Sequence, residues 1–149
     1  MIVSFDTNIL VYATARTASL KTSRSRDVIY RGMHAGSAVL LLQTLAEFSN
    51  VTIRKVGIPV DGVRTTIDAW RAVLPVQAAE DGDLLAALAA VKGSRLAFWD
   101  AMLWATAHRV GVRHQLTEDF QDGFPLDGVR FVNPFESVND GLIEQILPA

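Results

Sequence analysis

Ala38-Val39-Leu40-Leu41-Leu42 is apolar at every position. A strand with one face in water alternates apolar and polar side chains, because successive side chains point to opposite sides of the sheet; an unbroken apolar run is enclosed on both sides. That segment reads as a strand buried on both faces, as in a parallel sheet covered by helices. The rest of the sequence supplies the cover. Strand-like runs recur at 2–5, 113–116 and 129–132, and helical patterns fall at about 8–15, 22–35, 44–56, 60–72, 80–92, 98–110 and 137–147. Gly57-Ile58-Pro59 separates two of these helices, glycine supplying a stop and proline a start, and Gly93 and Gly111 close others. Such alternation predicts an α/β fold with a parallel sheet.

The 149 residues suit one domain spanning 1–149, without repeats, linkers or low-complexity segments. No apolar run nears the ~20 residues that span a bilayer, and no signal-type leader opens the chain, so a soluble, cytoplasmic protein with no membrane association is expected. The absence of cysteine excludes disulfides, thiolate metal sites and thiol nucleophiles. A net charge of −2 hides an asymmetry: residues 1–71 hold nine Lys/Arg and five Asp/Glu, residues 72–149 five and eleven. Arg16, Lys21, Arg24 and Arg26 occur with no acid between Asp6 and Asp27. They form either a solvated helix face or a basic rim able to touch phosphates.

Four acids occupy the ends of elements. Asp6 ends the first strand, in MIVSFDTNIL; Glu47 lies one turn into the helix after AVLLL, in QTLAEFSNV; Asp100 lies in the first turn of AFWDAMLWATA; Asp119 follows the strand ending near Leu116-Thr117. In a parallel sheet, strand ends and the starts of the following helices share one edge, where ligands bind. Each acid also has a plain structural explanation. Asp6 suits an N-cap, Thr44-x-x-Glu47 matches a capping box, Asp100 complements a helix dipole, and Asp119 sits in a polar loop. Capping alone gives no reason for four acids to share an edge. Clustered carboxylates repel unless protonated or neutralised, and a pocket rich in acids without His or Cys suits Mg²⁺ better than zinc.

At these residues the sequence resembles the PIN-domain family, in particular the VapC-like toxin ribonucleases of toxin–antitoxin pairs. The matching segments are FDTNILVYA, QTLAEF, FWDAMLWATA and LTEDFQDG, in that order along the chain. The resemblance implies a three-layer α/β/α sandwich with a central parallel sheet and a Mg²⁺- or Mn²⁺-dependent endoribonuclease using one or two ions. It further implies that Asp6, Asp100 and Asp119 hold metal, that Glu47 binds through water or orients the attacking water, and that Thr7, Asn8 and Thr117 support them. The reaction implied is in-line attack of a metal-bound hydroxide on an RNA phosphodiester, leaving 5′-phosphate and 3′-hydroxyl ends. The basic residues at 16–26, with Arg54 and Lys55, are the candidate RNA contacts, and an antitoxin partner and a homodimer follow from the same resemblance. One position departs from the pattern: a further acid found in some relatives is Gln121 here, with Asp122 as the candidate substitute.

The remaining motifs are weaker. His108 reads as a helix C-terminal dipole partner, His34 and His114 lack metal-ligand spacing, and Phe98, Trp99, Met102 and Trp104 read as core. Two other functions stay open from the residues alone. One is a non-catalytic binding module on the same fold, with the acids as caps. The other is an aspartyl-phosphate-type phosphohydrolase, whose pattern calls for a second Asp where this chain has Asn8.

Overall fold

The computed structural model describes residues 1–93, 96–120, 123 and 125–149. Its strands are β1 (Ile2–Phe5), β2 (Ala38–Leu41), β3 (Val76–Gln77), β4 (Val112–Leu116), β5 (Pro125–Leu126) and β6 (Val129–Val132). Its helices are α1 (Thr7–Thr14), α2 (Leu20–Ala35), α3 (Leu42–Val51), α4 (Val60–Arg71), α5 (Asp81–Gly93), α6 (Phe98–Arg109) and α7 (Asp140–Ile146). A π-helical turn, Thr52–Val56, prolongs α3, and a 3₁₀ turn, Ser137–Asn139, precedes α7. The sheet order is β3-β2-β1-β4-β6-β5, with every pairing parallel except β5 with β6. The α/β expectation holds, and it was incomplete at the rims. The two-residue strands β3 and β5 are too short to carry a periodic signal.

β2 is buried at all four positions, as its composition requires. Its residues serve two cores by turns. Ala38 and Leu40 join Val3, Phe5, Leu116 and Val132 beneath α1, α2, α3, α4 and α7, while Val39 and Leu41 join Val112, Val129 and Phe131 beneath α5 and α6. The sheet is thus the middle of three layers. β1 and β4 change register between Ile2 and Val3, where Val3 pairs with His114. That irregularity lets Val112 face one core and Leu116 the other although four residues separate them. Gly32 lets α2 lie close on the sheet, since a Cβ there would come within 2.8 Å of Ala38 Cβ and 3.0 Å of Phe5 Cζ.

α5 and α6 form a hairpin pinned by one buried carboxylate. Asp83, only 3 % exposed, accepts from Arg109 Nε (2.9 Å), Thr106 Oγ1 (3.2 Å) and the Glu80 backbone N–H (2.9 Å). Burial opposes its charge, but these donors hold its carboxyl below the usual range. Among the described residues no helix is long and apolar enough to cross a membrane.

Candidate active site

The chain builds β1, then β2 and β3 to one side of it, then β4 and β6 to the other. β1 and β4 therefore flank the point where the winding reverses, and the crevice at their carboxyl ends is where open α/β sheets bind ligands. Asp6 stands at the end of β1 and Thr117 to Asp119 at the end of β4. α3 starts at the same edge because it continues directly from β2. α6 runs back to the start of β4 at the opposite edge, so its own first turn, with Asp100, returns to this one.

Asp6 joins β1 to α1. Its backbone N–H donates to the Leu116 carbonyl (2.9 Å), its Oδ1 accepts from Thr7 N–H (2.7 Å), and its Oδ2 accepts from Thr117 Oγ1 (2.7 Å). The two readings of Asp6 are compatible, since one oxygen caps the helix while the other faces the end of β4. Glu47 is not half of a capping box. α3 begins at Leu42, Thr44 Oγ1 donates to the Leu41 carbonyl, and the Glu47 carboxylate accepts from Thr7 Oγ1 (2.9 Å) and Gln43 Nε2 (2.9 Å). Gln43 also donates to the Trp99 carbonyl (3.0 Å), so one amide ties Glu47 to the first turn of α6. Asp119 lies in an exposed loop, where its Oδ2 accepts from Asn8 Nδ2 (2.8 Å) and its N–H donates to Thr117 Oγ1 (3.1 Å). Asp122 and Gln121 lie outside the described residues.

The carboxyls feel one another. Asp6, 7 % exposed, is pushed up from 3.8 to about 6, chiefly by burial; hydrogen bonds from Thr117 and Thr7 oppose this, and the charges of Asp119 and Glu47 add to it. Asp100 is raised by burial and then by Asp119 and Glu47. Asp119 is raised by burial and by Glu118, with Lys21 and a hydrogen bond involving Asp6 working the other way. No cationic side chain offsets Asp6 or Asp100 among the described residues. A hard divalent cation fits this donor set, since every candidate donor is oxygen. As the side chains stand, no three His, Cys, Asp or Glu groups among the described residues are placed to hold an ion together. The carboxylates of Asp6, Glu47 and Asp119 are turned to Thr7, Thr117, Gln43 and Asn8 instead. A carboxylate that accepts such bonds keeps further lone pairs for a cation, so joint coordination requires the groups to approach one another, not to leave these donors.

The basic segment is partly occupied. Lys21 pairs with Glu118, which also accepts from Tyr12 Oη, and its ammonium lies 5.1 Å from the Tyr12 ring centroid. Arg24 bonds the Pro134 carbonyl (2.9 Å) and Asp140 (2.6 Å), while Arg26 bonds the carbonyls of Ala13 (2.8 Å) and Ala15 (2.9 Å). Arg16, Arg54 and Lys55 are exposed and make no ion pair among the described residues.

Sequence reasoning missed Gln43, whose signal was its place one turn before Glu47, and the Tyr12–Glu118–Lys21 group, whose members are remote in sequence. It also misplaced two aromatics. Trp104 is buried as expected, but Phe98 is 37 % and Trp99 65 % exposed. From Ala101 to Ala107 α6 is largely enclosed, whereas Phe98 and Trp99 in its first turn stand exposed.

No family model matches the chain, and no curated protein matches it in sequence. Among solved structures, it is similar to Mycobacterium tuberculosis VapC20, described as a Sarcin-Ricin loop cleaving toxin, with a TM-score of 0.58 at 13 % identity over 78 % of this chain and 89 % of that one. The chain has a PIN-like fold. At that identity the likeness carries the architecture alone.

Proposed function

We propose that this chain is a Mg²⁺- or Mn²⁺-dependent endoribonuclease, the toxin of a toxin–antitoxin pair, hydrolysing RNA phosphodiester bonds with an activated water. The observation that carries the reading is the gathering of Asp6, Glu47, Asp100 and Asp119 from four separate elements at the reversal point of the sheet, with no side-chain cation among the described residues to neutralise Asp6 or Asp100. The fold shared with a protein described as a Sarcin-Ricin loop cleaving toxin supports the same direction.

On this reading Asp6, Asp100 and Asp119 would hold the metal, and Glu47 would bind it through water or orient the attacking water. A bound divalent ion supplies charge for the phosphate and lowers the pKa of water. The protein's own part is to keep the acids in place. Thr7 and Thr117 restrain Asp6, Thr7 and Gln43 restrain Glu47, and Asn8 restrains Asp119. Of the basic residues proposed to contact RNA, Arg16, Arg54 and Lys55 make no ion pair among the described residues, while Lys21, Arg24 and Arg26 are engaged by protein acceptors. Asp122 as an extra acid, an antitoxin and a homodimer belong to the same proposal.

The deciding experiment is cleavage of mixed cellular RNA by purified protein in Mg²⁺, Mn²⁺ and EDTA, beside an Asp6→Asn variant prepared identically. Cutting that disappears with EDTA and with the variant supports the assignment. Equal behaviour of wild type and variant overturns it, and absence of any melting shift with Mg²⁺ then favours the binding-module alternative.

A further inference from the structure

Of the three tryptophans, Trp70 and Trp104 are buried at 9 % and 6 % exposure, while Trp99 is 65 % exposed. In the first turn of α6 this large ring stands in water beside Phe98, itself 37 % exposed. Its position is unusual as well. Trp99 immediately precedes Asp100, and its carbonyl is held by the same Gln43 amide that holds Glu47. Phe98 meets the indole edge-on at 5.1 Å, 72° from coplanar. That contact backs the ring at one edge and leaves most of its surface open.

We infer that Trp99 is a stacking platform for an unpaired nucleobase of the substrate, next to the phosphate presented to the acid cluster. This rests on the ribonuclease reading and adds to it one residue that contacts a base of the substrate. The physical argument is one of reach and chemistry. A phosphodiester approaching Asp100 brings its flanking bases within a few ångströms of the next residue, and every base offers a π-face to an aromatic ring. A base within a duplex is already stacked on its neighbours and cannot use the platform. Stacking also gives affinity without a cation, which suits an edge where acids repel the RNA backbone.

With two tryptophans buried, the intrinsic fluorescence response reports mainly on Trp99. Short single-stranded RNA titrated into the Asp6→Asn protein in Mg²⁺ should quench tryptophan emission saturably, and the same sequence as a duplex should not. An abasic substitution at one position of the oligomer should remove the quench. In the wild-type background, Trp99→Ala should raise KM for cleavage by about 5- to 150-fold with kcat nearly unchanged, the range expected for one lost base–aromatic stack. Trp99→Phe should restore most of it. If Trp99→Ala cleaves with wild-type KM while cutting remains dependent on metal and on Asp6, the platform is refuted and the nuclease stands. A loss confined to kcat, or a change in sedimentation with unchanged RNA affinity, also refutes it. Failure of the nuclease reading is distinct and appears as cleavage indifferent to Asp6→Asn.

Discussion

Replacing Asp6 by Asn should make the metal-free protein more stable, although it removes a candidate catalytic group. Asp6 shifts from 3.8 to about 6 on folding. Between those values the native state binds a proton that the unfolded state has released, so stability falls as pH rises through the window and stays lower above it. A displacement of about two pH units corresponds to about 3 kcal/mol. Asparagine cannot ionise, caps a helix as well as aspartate does, and leaves the Thr117 hydroxyl free to turn and accept. In EDTA at pH 7.5 the variant should therefore melt higher by roughly 10 °C, given the unfolding entropy of a chain this size. At pH 4, where native Asp6 is protonated, the difference should largely vanish. Saturating Mg²⁺ should raise wild type more than the variant, by about 2.7 kcal/mol at a hundredfold excess over Kd. Scanning calorimetry at the two pH values, with EDTA and with Mg²⁺, reads all of this. A variant that melts below wild type in EDTA at pH 7.5 would show that the bonds from Thr7 and Thr117 outweigh burial and repulsion, and would refute the reasoning.

Other perturbations test the supporting structure. Thr117→Val keeps the shape but leaves Asp6 Oδ2 and the Asp119 N–H without their partner; urea titration should show a loss of about 1–3 kcal/mol, together with a steeper fall in stability as pH rises past 6. Gly32→Ala should cost about 1–3 kcal/mol by forcing α2 off the sheet, because the new methyl meets Ala38 Cβ at 2.8 Å, and thermal melting would detect it. Asp83→Ala should cost about 2–4 kcal/mol at neutral pH; since the Asp83 carboxyl is held low, its contribution is lost as pH falls through that lowered value, and the gap between variant and wild type in urea should close in acid. Arg26→Ala should lower the melting temperature, because the side chain holds the carbonyls of Ala13 and Ala15; an unchanged melting temperature would show that those bonds contribute nothing to the fold.

Much of this protein was legible without coordinates. An all-apolar AVLLL run demands cover on both faces, and strands separated by helices demand parallel pairing, so the layers and the shared edge followed from local composition. Asp6, Glu47, Asp100 and Asp119 were each readable as acids at element ends, because the end of an element is a sequence-local property. What those side chains do with their oxygens was not legible. Thr7 bonds Glu47 forty residues away, Asn8 bonds Asp119 and Thr117 bonds Asp6 across 111 residues. No local pattern encodes such partners. The same limit explains why Thr44 and Glu47 resembled a capping box, why Arg24 looked free although Pro134 and Asp140 hold it, and why Trp99 looked like core. Periodicity says which side of a helix is apolar, but only the packed structure shows where the layer beneath that side stops. Local sequence determined the elements and the edge at which the acids meet; tertiary contact decided which donors restrain each acid, because hydrogen-bond partners and burial are set by residues remote in the chain.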